Sequence, residues 1–137
     1  MSQIETELSP GLRVLVAEDD FLVGDFLRQV LADLGCAVTG PIRDIDELLT
    51  AIRTNKFDGA LLDVQLGDAN ILPAATELER RGVPFILATG RSDLTDLSPL
   101  LASAPLLVKP FGVRELEDLV GRTFRPRVAT AGLCRSG

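Results

Sequence analysis

The chain has 137 residues, 46% of them apolar, which is one domain's worth and enough for a core that needs no disulfide staples. It holds no His, Trp or Tyr and only Cys36 and Cys134, which excludes a His-based triad, a His-ligated metal, a phosphohistidine on this chain, a zinc ribbon and a Trp or Tyr stacking platform. The net charge is −6; residues 125–137 carry three Arg and no acid, so the rest has 11 basic against 20 acidic residues, a net of −9 that repels nucleic acid.

Met1 to Pro10 has two Glu and no basic, apolar leader order, so it reads as an N-terminal extension over residues 1–10 of a cytoplasmic protein. Arg13-Val-Leu-Val-Ala17 is an aliphatic run that stops at three acids, the pattern of a strand buried on both faces. A helix follows, with Leu22, Phe26 and Val30 on one face, widened by Val23, Leu27, Leu31 and Leu34, and Gly35 as its stop. Ala37-Val-Thr39 is a weak second strand closed by Gly40-Pro41. Asp44 and Glu47 form a capping-box pattern before a stripe of Ile45, Leu48, Leu49 and Ile52. Gly59-Ala-Leu-Leu-Asp63 is the third strand.

The same rhythm continues. Ile71, Ala74, Ala75 and Leu78 mark a helix that ends near Gly82, and Val83 to Ala88 is a fourth strand ending at Thr89. Residues 91–104 make a poor helix because Ser98-Pro99 interrupts them; a short helix starting at Pro99 with Ser98 as cap fits better, since proline inside a helix costs about 3 kcal/mol. Leu106-Leu-Val108 is the fifth strand, and Val113, Leu116, Val120 and Phe124 place a last helix over about 113–124. Residues 125–137 lack periodicity and read as a flexible tail. No apolar run approaches the ~18–20 residues a membrane span needs. The alternation predicts one α/β domain over 11–124, a parallel sheet of five strands doubly wound with helices on both faces.

In such sheets ligands bind beyond the carboxyl ends of the strands. Those ends carry Glu18-Asp19-Asp20, Asp63, Thr89 and Lys109, while the second ends in the unreactive Gly40-Pro41. Each residue alone reads as a cap, a loop residue or a solvated surface group; together they make a constellation. Carboxylates ~4 Å apart repel by about 4 kcal/mol per pair at an effective dielectric of 20, so a proton or a cation belongs among them. Hard oxygen ligands favour Mg²⁺. A carboxylate nucleophile, a hydroxyl and an ammonium complete a set suited to receiving a phosphoryl group.

The runs Val16-Ala-Glu-Asp19, Leu61-Leu-Asp-Val-Gln65, Ala88-Thr-Gly90 and Val108-Lys-Pro-Phe111 resemble, in order, the motifs of the response-regulator receiver domain of two-component signalling, over about residues 11–124. Phe85-Ile-Leu-Ala-Thr-Gly90 is also similar to the FATGUY-type stand-alone receivers of alphaproteobacteria. The resemblance implies a flavodoxin-like, chemotaxis-receiver-like fold with strand order 2-1-3-4-5. It implies Asp63 as phosphoacceptor, Glu18, Asp19, Asp63 and the backbone carbonyl of Gln65 as Mg²⁺ ligands, Thr89 as switch hydroxyl and Lys109 as phosphoryl contact, with a cis Lys109–Pro110 bond. The family pattern places the acid pair directly after the strand; Asp19-Asp20 is the other frame.

The chain departs from the family in three places. Leu106 stands where an aromatic residue is usual, the loop Gln65-Leu-Gly-Asp68 lacks the usual proline, and the stretch from Thr89 to Lys109 is short and broken by proline. The expected function is a stand-alone receiver that takes a phosphoryl group from a sensor histidine kinase or phosphotransfer protein. It then signals to a downstream protein or acts as a phosphate sink, catalyses nothing beyond its own phosphoryl transfer and loss, and binds neither nucleic acid nor membrane. The expected assembly is a monomer or weak dimer. A phosphorylation-independent interaction module is the alternative, motivated by Leu106. An aspartyl-phosphate phosphatase is disfavoured because Gln65 stands where a second Asp would be needed, and a flavin binder because no strand end leads into a phosphate loop.

Overall fold

The computed structural model describes residues 11–90 and 98–136, with side chains as far as Phe124. In chain order the elements are β1 (Arg13–Ala17), α1 (Phe21–Asp33), β2 (Ala37–Ile42), α2 (Ile45–Thr54), β3 (Gly59–Asp63), β4 (Gln65–Leu66), β5 (Ala69–Asn70), α3 (Leu72–Arg80), β6 (Phe85–Thr89), α4 (Pro99–Ser103), β7 (Leu106–Val108) and α5 (Val113–Ser136). The main sheet is all parallel in the order β2-β1-β3-β6-β7, and β4-β5 form a separate antiparallel pair. Counted within the main sheet, this is the expected 2-1-3-4-5 order.

Alternation along the strands builds the two cores. Leu15, Ala17, Ala60, Leu62 and Leu87 face a cluster completed by Leu48 and Ile52 of α2, Leu78 of α3 and Leu101 of α4. Val14, Val16, Leu61, Ile86 and Leu107 face the other, completed by Leu27 and Leu31 of α1 and by Leu116, Val120 and Phe124 of α5. Cys36 belongs to the second cluster as a small apolar side chain, and burial pushes its thiol up to about 11. The caps form as the sequence predicts. Asp44 accepts from the Glu47 N–H, and Ser98 Oγ accepts from the Leu101 N–H to open the five-residue α4.

Five expectations change. First, β2 does not close at Gly40-Pro41 but runs to Ile42, because an extra residue is accommodated between the Leu15↔Thr39 and Ala17↔Ile42 pairs. Gly40 has φ +111°, and a Cβ there would press on the Val16 carbonyl oxygen, so only glycine fits. Second, the core face of α1 is Leu27, Val30, Leu31 and Leu34, whereas Leu22 is 77% exposed. Third, β6 starts at Phe85, since Val83-Pro84 lies before the strand and Pro84 contributes only its carbonyl, to Ala60 N–H. Fourth, β4 and β5 are too short to show as periodicity. Fifth, α5 continues to Ser136 rather than ending at Phe124. A helix needs no apolar stripe when Ala, Arg and Leu supply propensity, and Pro126 costs one backbone donor. The extension over residues 1–10 and the segment 91–97 lie outside the described residues.

Candidate functional site

Each polar group arrives at one edge of the sheet by strand position. β1 and β3 are in register, Ala17 beside Leu62, so the residues that follow, Glu18 and Asp63, end side by side. β3 and β6 are in register, Asp63 beside Ala88, which puts Thr89 one residue beyond, and β7 sets Val108 against Thr89. Lys109 N–H then donates to the Thr89 carbonyl at 2.7 Å. The Lys109–Pro110 bond is cis, as is Gly40–Pro41. The added length of β2 also serves the site, because Ile42 O accepts from Glu18 N–H at 3.0 Å and pins the backbone of the first acid.

Glu18, Asp19 and Asp63 each offer a carboxylate oxygen within 4.8 Å of the others. Lys109 Nζ donates to Asp63 Oδ2 at 3.1 Å and to Glu18 Oε2 at 3.2 Å. Gln65 N–H donates to Asp63 Oδ1 at 3.2 Å, and Gly67 N–H to Asp19 Oδ2 at 2.9 Å. Asp20 stands apart: its Oδ1 accepts from Leu22 and Val23 N–H and caps α1. The structure therefore groups Glu18, not Asp20, with Asp19 and Asp63. Thr89 is 6% exposed at the end of β6, and Gln65 lies beside Asp63 through its N–H.

Among the described residues, Lys109 supplies the ammonium of this cluster, and it pairs with Glu18 and Asp63. Glu18 is only 1% exposed, and burial, followed by its contact with Asp63, pushes its carboxyl up to about 7 against the opposing pull of Lys109. For Lys109, burial pulls down, but the Glu18 and Asp63 carboxylates together outweigh it and raise the ammonium's pKa. Glu18 Oε1 lies 3.0 Å from Lys109 Nζ yet has no aligned donor, a buried oxygen with acceptor capacity to spare. A hard divalent cation fits this donor set: it would take that oxygen, neutralise the surplus negative charge and accept carboxylates at its usual ligand count.

A pH dependence follows from Glu18. Its pKa in the folded state lies above the ordinary carboxyl value of 4.5, so the folded protein holds this proton more tightly than the unfolded chain does. The stabilisation from that proton is full below about 4.5 and is lost as pH rises through about 7. A cation that binds Glu18 would have to displace the same proton, and Mg²⁺ binding would then tighten by up to about tenfold per pH unit below 7 and level off above it. Calorimetric titration with Mg²⁺ from about pH 6 to about pH 8 measures this; a flat profile would remove Glu18 from the ligand set.

An apolar groove adjoins the site. Leu22, Val23 and Phe26 of α1 and Lys109, Pro110 and Phe111 line a cavity of about 490 Å³, with Phe26 and Phe111 rings 6.1 Å apart, and Phe21 beside it is 72% exposed. Sequence reasoning missed this groove by sending Leu22 to the core; Phe26 does pack against the core, as expected, and lines the groove as well. The signal was present: α1 carries more apolar residues than one buried stripe can use.

A parallel five-stranded sheet with three acids and a lysine at its carboxyl edge defines an α/β signalling-type site. The chain belongs to the response regulator receiver domain family, whose model matches residues 14–121. It is 30% identical over 126 residues to the transcriptional regulatory protein PdtaR of Mycobacterium tuberculosis, covering 88% of this chain and 62% of that protein. It is 31% identical over 109 residues to the uncharacterized transcriptional regulatory protein YbdJ of Bacillus subtilis, covering 77% of this chain and 48% of that one. The chain thus spans less than two thirds of these relatives' length. Among solved structures it is similar to the response regulator PhyR from Brucella abortus, with TM-score 0.79, 26% identity, and coverage of 97% of this chain and 55% of that one. It is also similar to the receiver domain of the sensor histidine kinase PA1611 from Pseudomonas aeruginosa, with magnesium coordinated in its cleft (TM-score 0.72, 26% identity, 83% of this chain and 98% of that one). The protein is thus a receiver domain of two-component signalling. Among the described residues no helix is long and apolar enough to cross a membrane.

Proposed function

We propose that this receiver takes a phosphoryl group onto Asp63 in a Mg²⁺-dependent reaction and signals by altered partner binding. The observation that carries the reading is the position of Asp63 at the β3 end, 8% exposed, with Lys109 Nζ at 3.1 Å and Glu18 and Asp19 within ligand distance. A carboxylate oxygen of Asp63 attacks phosphorus, the bond from phosphorus to the donor breaks, and the leaving group departs with the electron pair. Lys109 would offset the charge on the phosphoryl oxygens, and Thr89, at the end of the strand beside β3, would offer its hydroxyl to one of them. Glu18, Asp19, Asp63 and the Gln65 carbonyl would hold Mg²⁺, which would supply the remaining charge stabilisation. The ligand roles and the Thr89 role rest on the match to the family's motifs.

The phosphodonor is a protein, a histidine kinase or phosphotransfer protein. The apolar groove supports this, because it is contiguous with Lys109 and lies where a donor presenting its phosphoryl group to Asp63 would make contact. Leu22→Ala should slow transfer from such a donor by about tenfold while labelling by acetyl phosphate keeps its rate, since truncating one anchor in an interface centre costs this much. Equal slowing with both donors would place Leu22 in folding rather than docking.

The primary experiment is intact-protein mass after incubation with acetyl phosphate or phosphoramidate, with and without Mg²⁺. One phosphoryl adduct that requires Mg²⁺ is expected. Leu106, half-buried in β7 where the family has an aromatic side chain, favours a second reading, a module that binds its partner without phosphorylation. No adduct from small donors or from a cognate kinase, on folded protein, would select that reading.

A further inference from the structure

The hairpin β4–β5 follows the phosphoacceptor directly, and its backbone reaches two acids of the cluster. Gln65 N–H donates to Asp63 Oδ1, and Gly67 N–H donates to Asp19 Oδ2 across 48 residues of chain. The hairpin is itself fixed at both ends: Gln65 pairs with Asn70 and Leu66 with Ala69, Ile71 N–H donates to Val64 O at 3.0 Å, and Asn70 Oδ1 accepts from Leu72 N–H at 2.7 Å to enter α3. Leu66 and Ile71 are 2% and 0% exposed, so the core anchors the device. Only Gly67 and Asp68 close the turn, and Gly67 has φ +62°, which a β-branched residue does not adopt without strain. A Cβ at Gly67 meets nothing within 4 Å, so backbone conformation alone demands glycine there.

An N–H on one carboxylate oxygen holds the plane of the carboxylate and leaves the other oxygen to a cation. We propose that the β4–β5 hairpin is a clasp on the acid cluster, in which Gly67 acts as a positioning residue whose N–H orients Asp19 for Mg²⁺. This rests on the reading of Glu18, Asp19 and Asp63 as the Mg²⁺ site. The departure from the family pattern in this loop, Gln65-Leu-Gly-Asp68 without proline, supplies the N–H that Asp19 uses.

The test has two arms, both on the full chain labelled with ¹⁵N. In metal-free protein the Gly67 amide should exchange slowly with solvent, and Asp19→Ala should return it to the exchange rate of an open turn while the rest of the spectrum stays folded. In the second arm Mg²⁺ is titrated: Gly67→Val should bind about tenfold more weakly than wild type, the low end of what losing a ligand's hydrogen-bonded support costs. Raising Mg²⁺ in proportion should restore the adduct from acetyl phosphate, which a merely misfolded variant would not show. Fast exchange of the wild-type Gly67 amide, protection that survives Asp19→Ala, or wild-type affinity in a folded Gly67→Val protein would each overturn the clasp. Should Gly67→Val fail to fold, the first arm decides. If wild type binds no Mg²⁺ while the first arm holds, the metal reading falls and the hydrogen-bonded clasp stands.

Discussion

Asp63→Asn protein should gain no phosphoryl mass from acetyl phosphate under conditions where wild type gains one adduct. The carboxamide keeps the shape of the side chain, so Gln65 N–H retains an acceptor at the Oδ1 position, but the nucleophilic charge is gone. The substitution also changes the cluster electrostatically. Asp63 raises the Glu18 pKa twice, through a side-chain hydrogen bond and through charge, whereas Lys109 lowers it. With Asp63 neutral, the Glu18 proton should leave at lower pH, and Lys109 Nζ should settle on Glu18 alone. The metal-free variant should therefore melt at or above the wild-type temperature near neutral pH, because close carboxylate pairs repel by about 4 kcal/mol at an effective dielectric of 20 before Lys109 offsets them. Mg²⁺ should bind the variant more weakly, one charged ligand being lost. A residual adduct on Asp63→Asn protein would move the acceptor to another acid, and a variant that melts well below wild type would mean that Asp63 is needed for the fold.

The site was legible in the sequence because β1, β3, β6 and β7 are uninterrupted aliphatic runs that stop at a polar residue, and strand ends in a parallel sheet share one edge. The choice of acid frame needed local chemistry as well: Asp20 sits where an N-cap belongs, and a carboxylate spent on Leu22 and Val23 N–H is drawn away from the cluster. What was illegible lies where signal is weak or doubled. α1 has apolar residues around much of its circumference, so periodicity did not separate the face on the core from the face on the groove. β2 bends over Gly40-Pro41, a pair that usually punctuates a strand and here only interrupts its register. The two-residue strands of the clasp hold no pattern at all, and their role follows from hydrogen bonds between residues far apart in the chain.

Phe124→Ala should cost about 3–5 kcal/mol, the usual range for emptying a large aromatic position in a close-packed core. Phe124 is fully buried in the cluster that joins α5 to the sheet, with Val120 and Leu116 one and two turns before it. Its ring lies over Gly59, the first residue of the strand that ends in Asp63: a Cβ on Gly59 would come within 2.6 Å of Phe124 Cδ1 and Cε1. That contact makes the sign of a second substitution depend on the first. Gly59→Ala alone forces the ring aside and should destabilise by about 1–3 kcal/mol, as overpacking does. In the Phe124→Ala background the same methyl enters the vacated space and should be neutral or stabilising. The double variant should therefore be more stable than the sum of the single losses predicts, by roughly 1–3 kcal/mol of coupling, read from urea unfolding of the four proteins. Strict additivity would mean that Gly59 is needed for backbone reasons and that the ring does not press on β3.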